Sequence, residues 1–139
     1  MSIDIIHDKN DEIALWVCKK LQISQDWLGD NLTFGFYNEN KRLGGLIFHD
    51  YEPNHSIWWT IYASDKHWCT RRVLQKMFDT AFNELHCRRI NLLVCSDNET
   101  CLKFVQKLGF KPEGFLRKYL DNGKDCYFFG MLQEECPWL

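Results

Sequence analysis

The segment Lys66-His67-Trp68-Cys69-Thr70-Arg71-Arg72-Val73-Leu74 concentrates positive charge where a long helical pattern begins. Backbone N–H groups at a helix start are free, and the helix dipole adds partial positive charge, so this position can hold an anion. A solvated basic helix start accounts for the same residues, and spacing alone leaves both readings open. A second segment, Asn98 to Gly114, reads as a capped helix stopped by glycine. Asn98 can accept a backbone N–H bond, while Leu102, Val105 and Leu108 share one face. Gly109 permits the left-handed turn that ends the helix. Trp58, Trp59, Tyr62 and Trp68 can either line an apolar pocket or fill a core. His55 carries an imidazole suited to accepting a proton near neutral pH, and equally fits an exposed turn beside Asn54. Cys, His and Asp residues can be combined into a nucleophilic triad in many ways, and no local signature singles one out.

The elements that must position these groups follow from hydrophobic periodicity. A short strand is expected at residues 3–7, then a helix capped by Asn10 or Asp11 with Ile13, Leu15, Trp16, Val17 and Leu21 clustered. A short helical segment around Ser24 to Leu28 follows. Strands are expected at Thr33 to Tyr37, Leu43 to His49 and Ser56 to Ala63, forming an antiparallel meander. After Lys66 the period is helical, through Val73/Leu74, Met77/Phe78, Ala81/Phe82 and Leu85. The compact apolar run Ile90 to Cys95 has the pattern of a strand buried on both faces. Lys111 to Tyr119 and Cys126 to Leu132 complete the set, paired around the turn Asp121-Asn122-Gly123-Lys124.

The phrase Asn98-x-x-x-x-x-Phe104-x-x-x-Leu108-Gly109-Phe110-x-x-Glu113-Gly114, continued by Leu116-Arg117 and Gly130-Met131-Leu132, resembles the fifth-to-sixth-strand passage of the GNAT superfamily of N-acetyltransferases. The order of elements is also similar to that family's, strongly after Ser56 and weakly before Thr33. The resemblance implies an α/β fold: a single GNAT-like domain over residues 1–139, with a mixed twisted sheet of six or seven strands and about four helices. Its fourth and fifth strands would splay to admit acetyl-CoA. By the same resemblance, Thr60, Ile61 and Tyr62 would present backbone groups to the thioester and pantetheine. Trp68, Cys69, Thr70, Arg71, Arg72 and Val73 would hold the pyrophosphate, and Asn98 would steady the arm. The phosphate loop is degenerate, because Cys69 and Arg71 occupy places where the family has small residues. Arg71 and Arg72 could compensate with charge-assisted bonds. Cys101 stands where relatives place a serine near the CoA sulfur, and a thiol donates a weaker hydrogen bond than a hydroxyl. The family's helix tyrosine acid is replaced by Val105. His55 falls where several relatives place a catalytic carboxylate near the start of the fourth strand, with His49, Asp50 and Glu52 as nearby substitutes.

Length and composition fix the class. The chain of 139 residues suits one domain, and its six Trp and ten Phe supply ample apolar surface. A net charge of −2 without like-charge blocks disfavours general nucleic-acid binding. Seven cysteines, odd in number and without a Cys-x-x-Cys pair, argue against a disulfide framework or zinc module and for reduced thiols in the cytoplasm. Neither a secretory signal nor a membrane span is apparent. The expected function is transfer of acetyl from acetyl-CoA, without a metal, directly to a primary amine on a small-molecule or peptide acceptor. The tail is similar to the branch that acts on ribosomal proteins, amino sugars and small amines. A homodimer is compatible with this reading. The alternatives are a non-catalytic binding or structural protein with the same fold, and a transferase acting on a macromolecule such as aminoacyl-tRNA.

Overall fold

A computed structural model describes residues 2–139. Seven strands form one sheet in the order β1-β2-β3-β4-β5-β7-β6, comprising β1 (Asp4–Ile6), β2 (Asn31–Asn38), β3 (Lys41–Glu52), β4 (Ser56–Ala63), β5 (Arg89–Cys95), β6 (Lys111–Leu116) and β7 (Cys126–Leu132). The helices are α1 (Asn10–Leu21), α2 (Arg71–Asp79), which runs on as a π-helical turn over Thr80–Glu84, and α3 (Glu99–Leu108). Every strand pairing is antiparallel except β4 with β5. That parallel pair is joined by the α2 crossover, as parallel strands require.

Two apolar layers hold the sheet. On one face α1 buries Ile13, Ala14, Val17 and Cys18 against Ile47, with Tyr62 packed at the margin. On the other, Val73, Leu74, Met77, Phe78, Ala81 and Phe82 of α2 and its extension join Val105 and Leu108 of α3 over Phe48, Trp59, Ile90, Leu92 and Phe129. Alternation along β4 therefore turns Trp58, Thr60 and Tyr62 toward the α1 side and Ile57, Trp59 and Ile61 toward α2 and α3. Among the described residues, α1 packs mainly on β2, β3 and β4. Leu93 and Cys95 of β5 are consequently only half-buried, whereas the apolar run suggested a strand covered on both faces.

Three local expectations change. Asn10 does not cap α1: its side-chain oxygen accepts from the Thr33 N–H at 2.8 Å and the Thr33 hydroxyl at 2.9 Å, fastening α1 to β2. Residues 24–28 form turns rather than a helix, leaving three α-helices among the described residues where about four were expected. The Ser24 hydroxyl takes the Asp26 N–H at 3.0 Å and the Ser24 N–H goes to Asp121 at 2.8 Å, so local side-chain bonds outcompete the helical ladder. The sixth strand stops at Leu116, because Lys118 adopts a positive φ of 52° and its N–H is taken by Asp125 at 2.7 Å.

Gly109 ends α3 with φ 112°, and a β-carbon there would lie 3.2 Å from the Met131 methyl. Gly109→Val is expected to destabilise the fold by at least about 1 kcal/mol, because a branched side chain is strained at positive φ. Thermal melts test this; unchanged stability would show that the turn needs no glycine.

Candidate active site

The register of the parallel pair creates an opening. β4 and β5 are paired from Ser56–Arg89 to Trp59–Leu92 and no further. Beyond that point β4 stays with β3 through Thr60–Ile47, Ile61–Leu46, Tyr62–Gly45 and Ala63–Gly44. β5 stays with β7 through Leu93–Phe128, Val94–Tyr127 and Cys95–Cys126. Each strand keeps its outer neighbour and loses its inner one, so backbone polar groups on the inner edge of β4 after Trp59 face the split rather than another strand. The helices that follow β4 and β5 both begin at this end, which is the crevice at the carboxyl ends of parallel strands where ligands of open α/β sheets sit.

The start of α2 is partly self-satisfied. Thr70 is the cap, its hydroxyl accepting from Val73 N–H at 3.3 Å, while Leu74 N–H reaches the Thr70 carbonyl at 3.0 Å. Among the described residues the Arg71 and Arg72 N–H groups have no protein acceptor and remain available to an anion. The side chains expected to help divide sharply. Arg71 is exposed, with its guanidinium 5.7 Å from the centre of the Trp138 ring. Arg72 instead donates to the Ile3 carbonyl, tying α2 to the first strand's approach. Trp68 is buried, stacked on Phe36 at 4.8 Å, and Val73 is buried beneath α2, so neither side chain can reach a phosphate. Their core roles follow from the apolar face of the same segment. Arg72→Ala is accordingly expected to cost about 1 kcal/mol of stability without weakening anion binding at α2. Denaturant titration beside calorimetry separates the two, and lost affinity in a fully stable variant would return Arg72 to the site.

At the other helix, the Asn98 side chain accepts from Cys101 N–H at 3.2 Å, so Asn98 is the cap of α3. Cys101 lies in the first turn, packed against the core margin, and burial pushes its thiol up to about 11. Cys69, just before α2, is pushed up to about 11 by the same cause. Both are therefore protonated at neutral pH, with about one part in ten thousand as thiolate. Cys101 can donate a weak hydrogen bond but is a poor nucleophile. Iodoacetamide at pH 8 should leave it largely unmodified in the folded protein; rapid alkylation of Cys101, read by peptide mass spectrometry, would contradict this.

The structure does not bring His55 to the split. It is exposed at the start of β4, with Nδ1 3.0 Å from the Ser56 hydroxyl and 3.4 Å from Glu52. Ser56 is where pairing with β5 begins, so His55 stands at the closed end, roughly 17 Å along the strand from Thr60. A side chain passed over in the sequence takes a more telling position. Thr60, expected to contribute only backbone, has its hydroxyl 2.8 Å from Nε2 of the buried His49. The signal was available: once Ile47 pairs with Thr60, alternation puts His49 on the same face, one step along the strand.

On the α1 side of the split the open surface is aromatic. Trp58 and Phe128 stack at 5.2 Å across β4 and β7, and Tyr62 meets Trp16 edge-on at 5.3 Å. Trp59 faces the other way and is core. Among the described residues no group of His, Cys, Asp and Glu is placed to hold a metal ion, and no helix is long and apolar enough to cross a membrane.

Comparison with known proteins gives the family. The sequence pattern of the Acetyltransferase (GNAT) family matches residues 5–110. An uncharacterized N-acetyltransferase of Bacillus licheniformis, p20, is 32% identical over 108 residues, spanning 74% of this chain and 55% of that protein. The uncharacterized N-acetyltransferase YoaA of Bacillus subtilis (strain 168) is 32% identical over 93 residues, spanning 66% of this chain and 48% of its own. The chain thus spans about half the length of these curated relatives. Among solved structures, the dodecameric spermidine N-acetyltransferase of Vibrio cholerae superposes with a TM-score of 0.73 at 15% identity, over 95% of this chain and 94% of that one, a likeness of fold.

Proposed function

The chain belongs to the GNAT acetyltransferase family, and from that premise we propose that it transfers acetyl from acetyl-CoA directly to a primary amine at the split between β4 and β5. The observation that carries the reading is the unpairing of the two strands after Trp59 and Leu92, with two helix N-termini gathered at the same end.

Acetyl-CoA fits the residues present. Its pantetheine amides find free backbone partners on β4 from Thr60 to Tyr62, and its pyrophosphate finds the Arg71 and Arg72 N–H groups with the Arg71 guanidinium alongside. Asn98 holds the first turn of α3, and with it Cys101, beside the split. A backbone N–H aimed into the split can stabilise the charge that develops on the thioester carbonyl oxygen. The thioester is already activated, so a held amine needs orientation and a proton acceptor rather than a protein nucleophile. The Cys101 thiol, at about 11, is a weak acid, and its part is a hydrogen bond to the departing thiolate. Cys101→Ser is expected to retain activity for that reason.

The acceptor is a small-molecule or peptide amine received on the aromatic α1 side, and the protein works in the cytoplasm, where its seven cysteines stay unpaired. Calorimetric titration tests the first step, with saturable acetyl-CoA binding expected. A second reading, a binding protein without turnover, is favoured by the residues at the phosphate loop, where Cys69 and Arg71 replace small ones and Thr70 satisfies part of the helix start itself. Saturable binding without CoA release in the presence of amines would support that reading over ours.

A further inference from the structure

We infer that Asp50, His49 and Thr60 form a proton relay that serves the reacting amine, with the Thr60 hydroxyl as the group that touches it. The inference deepens the transferase reading and rests on it. Three observations carry it. Asp50 Oδ2 lies 2.6 Å from His49 Nδ1, and Thr60 Oγ1 lies 2.8 Å from His49 Nε2, so the three side chains form one continuous chain. His49 is 6% exposed, so its ring is shielded from bulk water and its two nitrogens are left to Asp50 and Thr60. Thr60 is the first residue of β4 beyond the last pair with β5, on the α1 side, where the acceptor surface lies.

The hydrogen-bond inventory fixes the direction of the relay. An ionised carboxylate only accepts, so the proton of the neutral imidazole sits on Nδ1 and points at Asp50. Nε2 is then the acceptor, and the Thr60 hydroxyl donates to it. The lone pairs of Oγ1 are left for a donor arriving from the split. As the amine lone pair forms the C–N bond, its nitrogen becomes acidic. One N–H proton passes to Oγ1 while the hydroxyl proton passes to Nε2, and Asp50 stabilises the imidazolium so formed. The C–S bond breaks with its electron pair on sulfur. The imidazolium then gives its proton to the departing thiolate through the Thr60 hydroxyl, or to water while the thiolate takes one from water, leaving amide and free CoA thiol with the relay restored.

The surroundings suit a base that must be neutral at rest. Burial lowers the His49 pKa below its ordinary value, and the neighbouring Asp50 opposes that shift only in part. The ring is covered by Trp27 from the turn after α1, edge-on at 4.8 Å, by Thr60 from β4, and by Asp50 from its own strand. Asp50 is the one charged group in contact with the ring among the described residues. It sits at a positive φ of 52°, a conformation that aspartate tolerates better than most residues and that turns its carboxylate back toward the preceding ring.

The test uses Thr60→Val, nearly isosteric, with Thr60→Ser as rescue and His49→Gln as a second variant, assayed with acetyl-CoA and a panel comprising a polyamine, an amino sugar and a peptide N-terminus. Wild-type kcat should fall on the acid side with a midpoint below 6.5, since protonation of His49 removes the acceptor. Thr60→Val should lose about 10- to 100-fold in kcat near neutral pH while KM for acetyl-CoA stays within about two-fold, and the deficit should narrow above about pH 9 as hydroxide replaces the base. Thr60→Ser should restore both rate and profile. A Thr60→Val variant with wild-type kcat, or a deficit unchanged at every pH, overturns the relay and leaves the transferase reading standing. A wild type that acetylates no amine overturns both. An NMR spectrum of the imidazole nitrogens showing the proton on Nε2 would also overturn the relay, independently of any acceptor.

Discussion

Trp59→Ala is expected to lower stability by about 3–5 kcal/mol, enough to leave much of the protein unfolded at ordinary temperature. Trp59 is 2% exposed and its ring lies 5.8 Å from Phe48, 5.0 Å from Phe78 and 5.9 Å from Phe110. One side chain thus joins β3, β4, α2 and the segment leaving α3, and its removal opens a cavity at their junction. It is also the last β4 residue paired with β5, so its loss loosens the closed part of the parallel pair just below the split. Among the described residues the indole N–H has no hydrogen-bond partner, so Trp59→Phe removes an unpaired buried donor together with the second ring and should cost much less than alanine. Thermal unfolding should show a drop of roughly 10–20 °C for alanine. Similar melting temperatures for wild type and Trp59→Ala would mean that the core is not built around this residue.

Arg71→Glu should weaken acetyl-CoA binding by about 10- to 100-fold while leaving the fold intact, because the two effects have opposite electrostatic signs. A carboxylate in the first turn of α2 complements the helix dipole, which offsets the loss of the contact between the guanidinium and Trp138. Trp138 keeps its own anchor, the indole N–H donating to the Leu108 carbonyl at 2.8 Å. The same carboxylate repels a pyrophosphate approaching the free Arg71 and Arg72 N–H groups. Calorimetry with acetyl-CoA and a melting curve on the same preparation separate the effects. Undiminished affinity would move the phosphate site away from α2.

Much of this was legible in the residues. The alternation from Ser56 to Ala63 marks β4 with its observed bounds, and Asn98 and Gly109 bracket α3 as their chemistry requires. Cys126–Leu132 was likewise readable as the seventh strand. What the residues do not reveal is a partner distant in the chain. Nothing near Asn10 reveals that its oxygen belongs to Thr33, and nothing near Ser24 reveals that its N–H belongs to Asp121. Arg72 and Arg71 look equivalent as neighbours in the chain, yet a helix turns them apart, one to the Ile3 carbonyl and the other to solvent over Trp138. His55 lies near the start of β4 in the sequence, whereas the split is defined by where β5 stops pairing, which is a property of two strands. His49 and Thr60 become a pair only through the register between β3 and β4.

Direct acetyl transfer at the split can be followed with acetyl-labelled acetyl-CoA incubated with the full chain and a panel of primary amines. Label should appear in the amide of at least one acceptor, matched one for one by free CoA thiol, with none retained on the protein. Label trapped on Cys101, or no amide from any amine despite saturable acetyl-CoA binding, would contradict it.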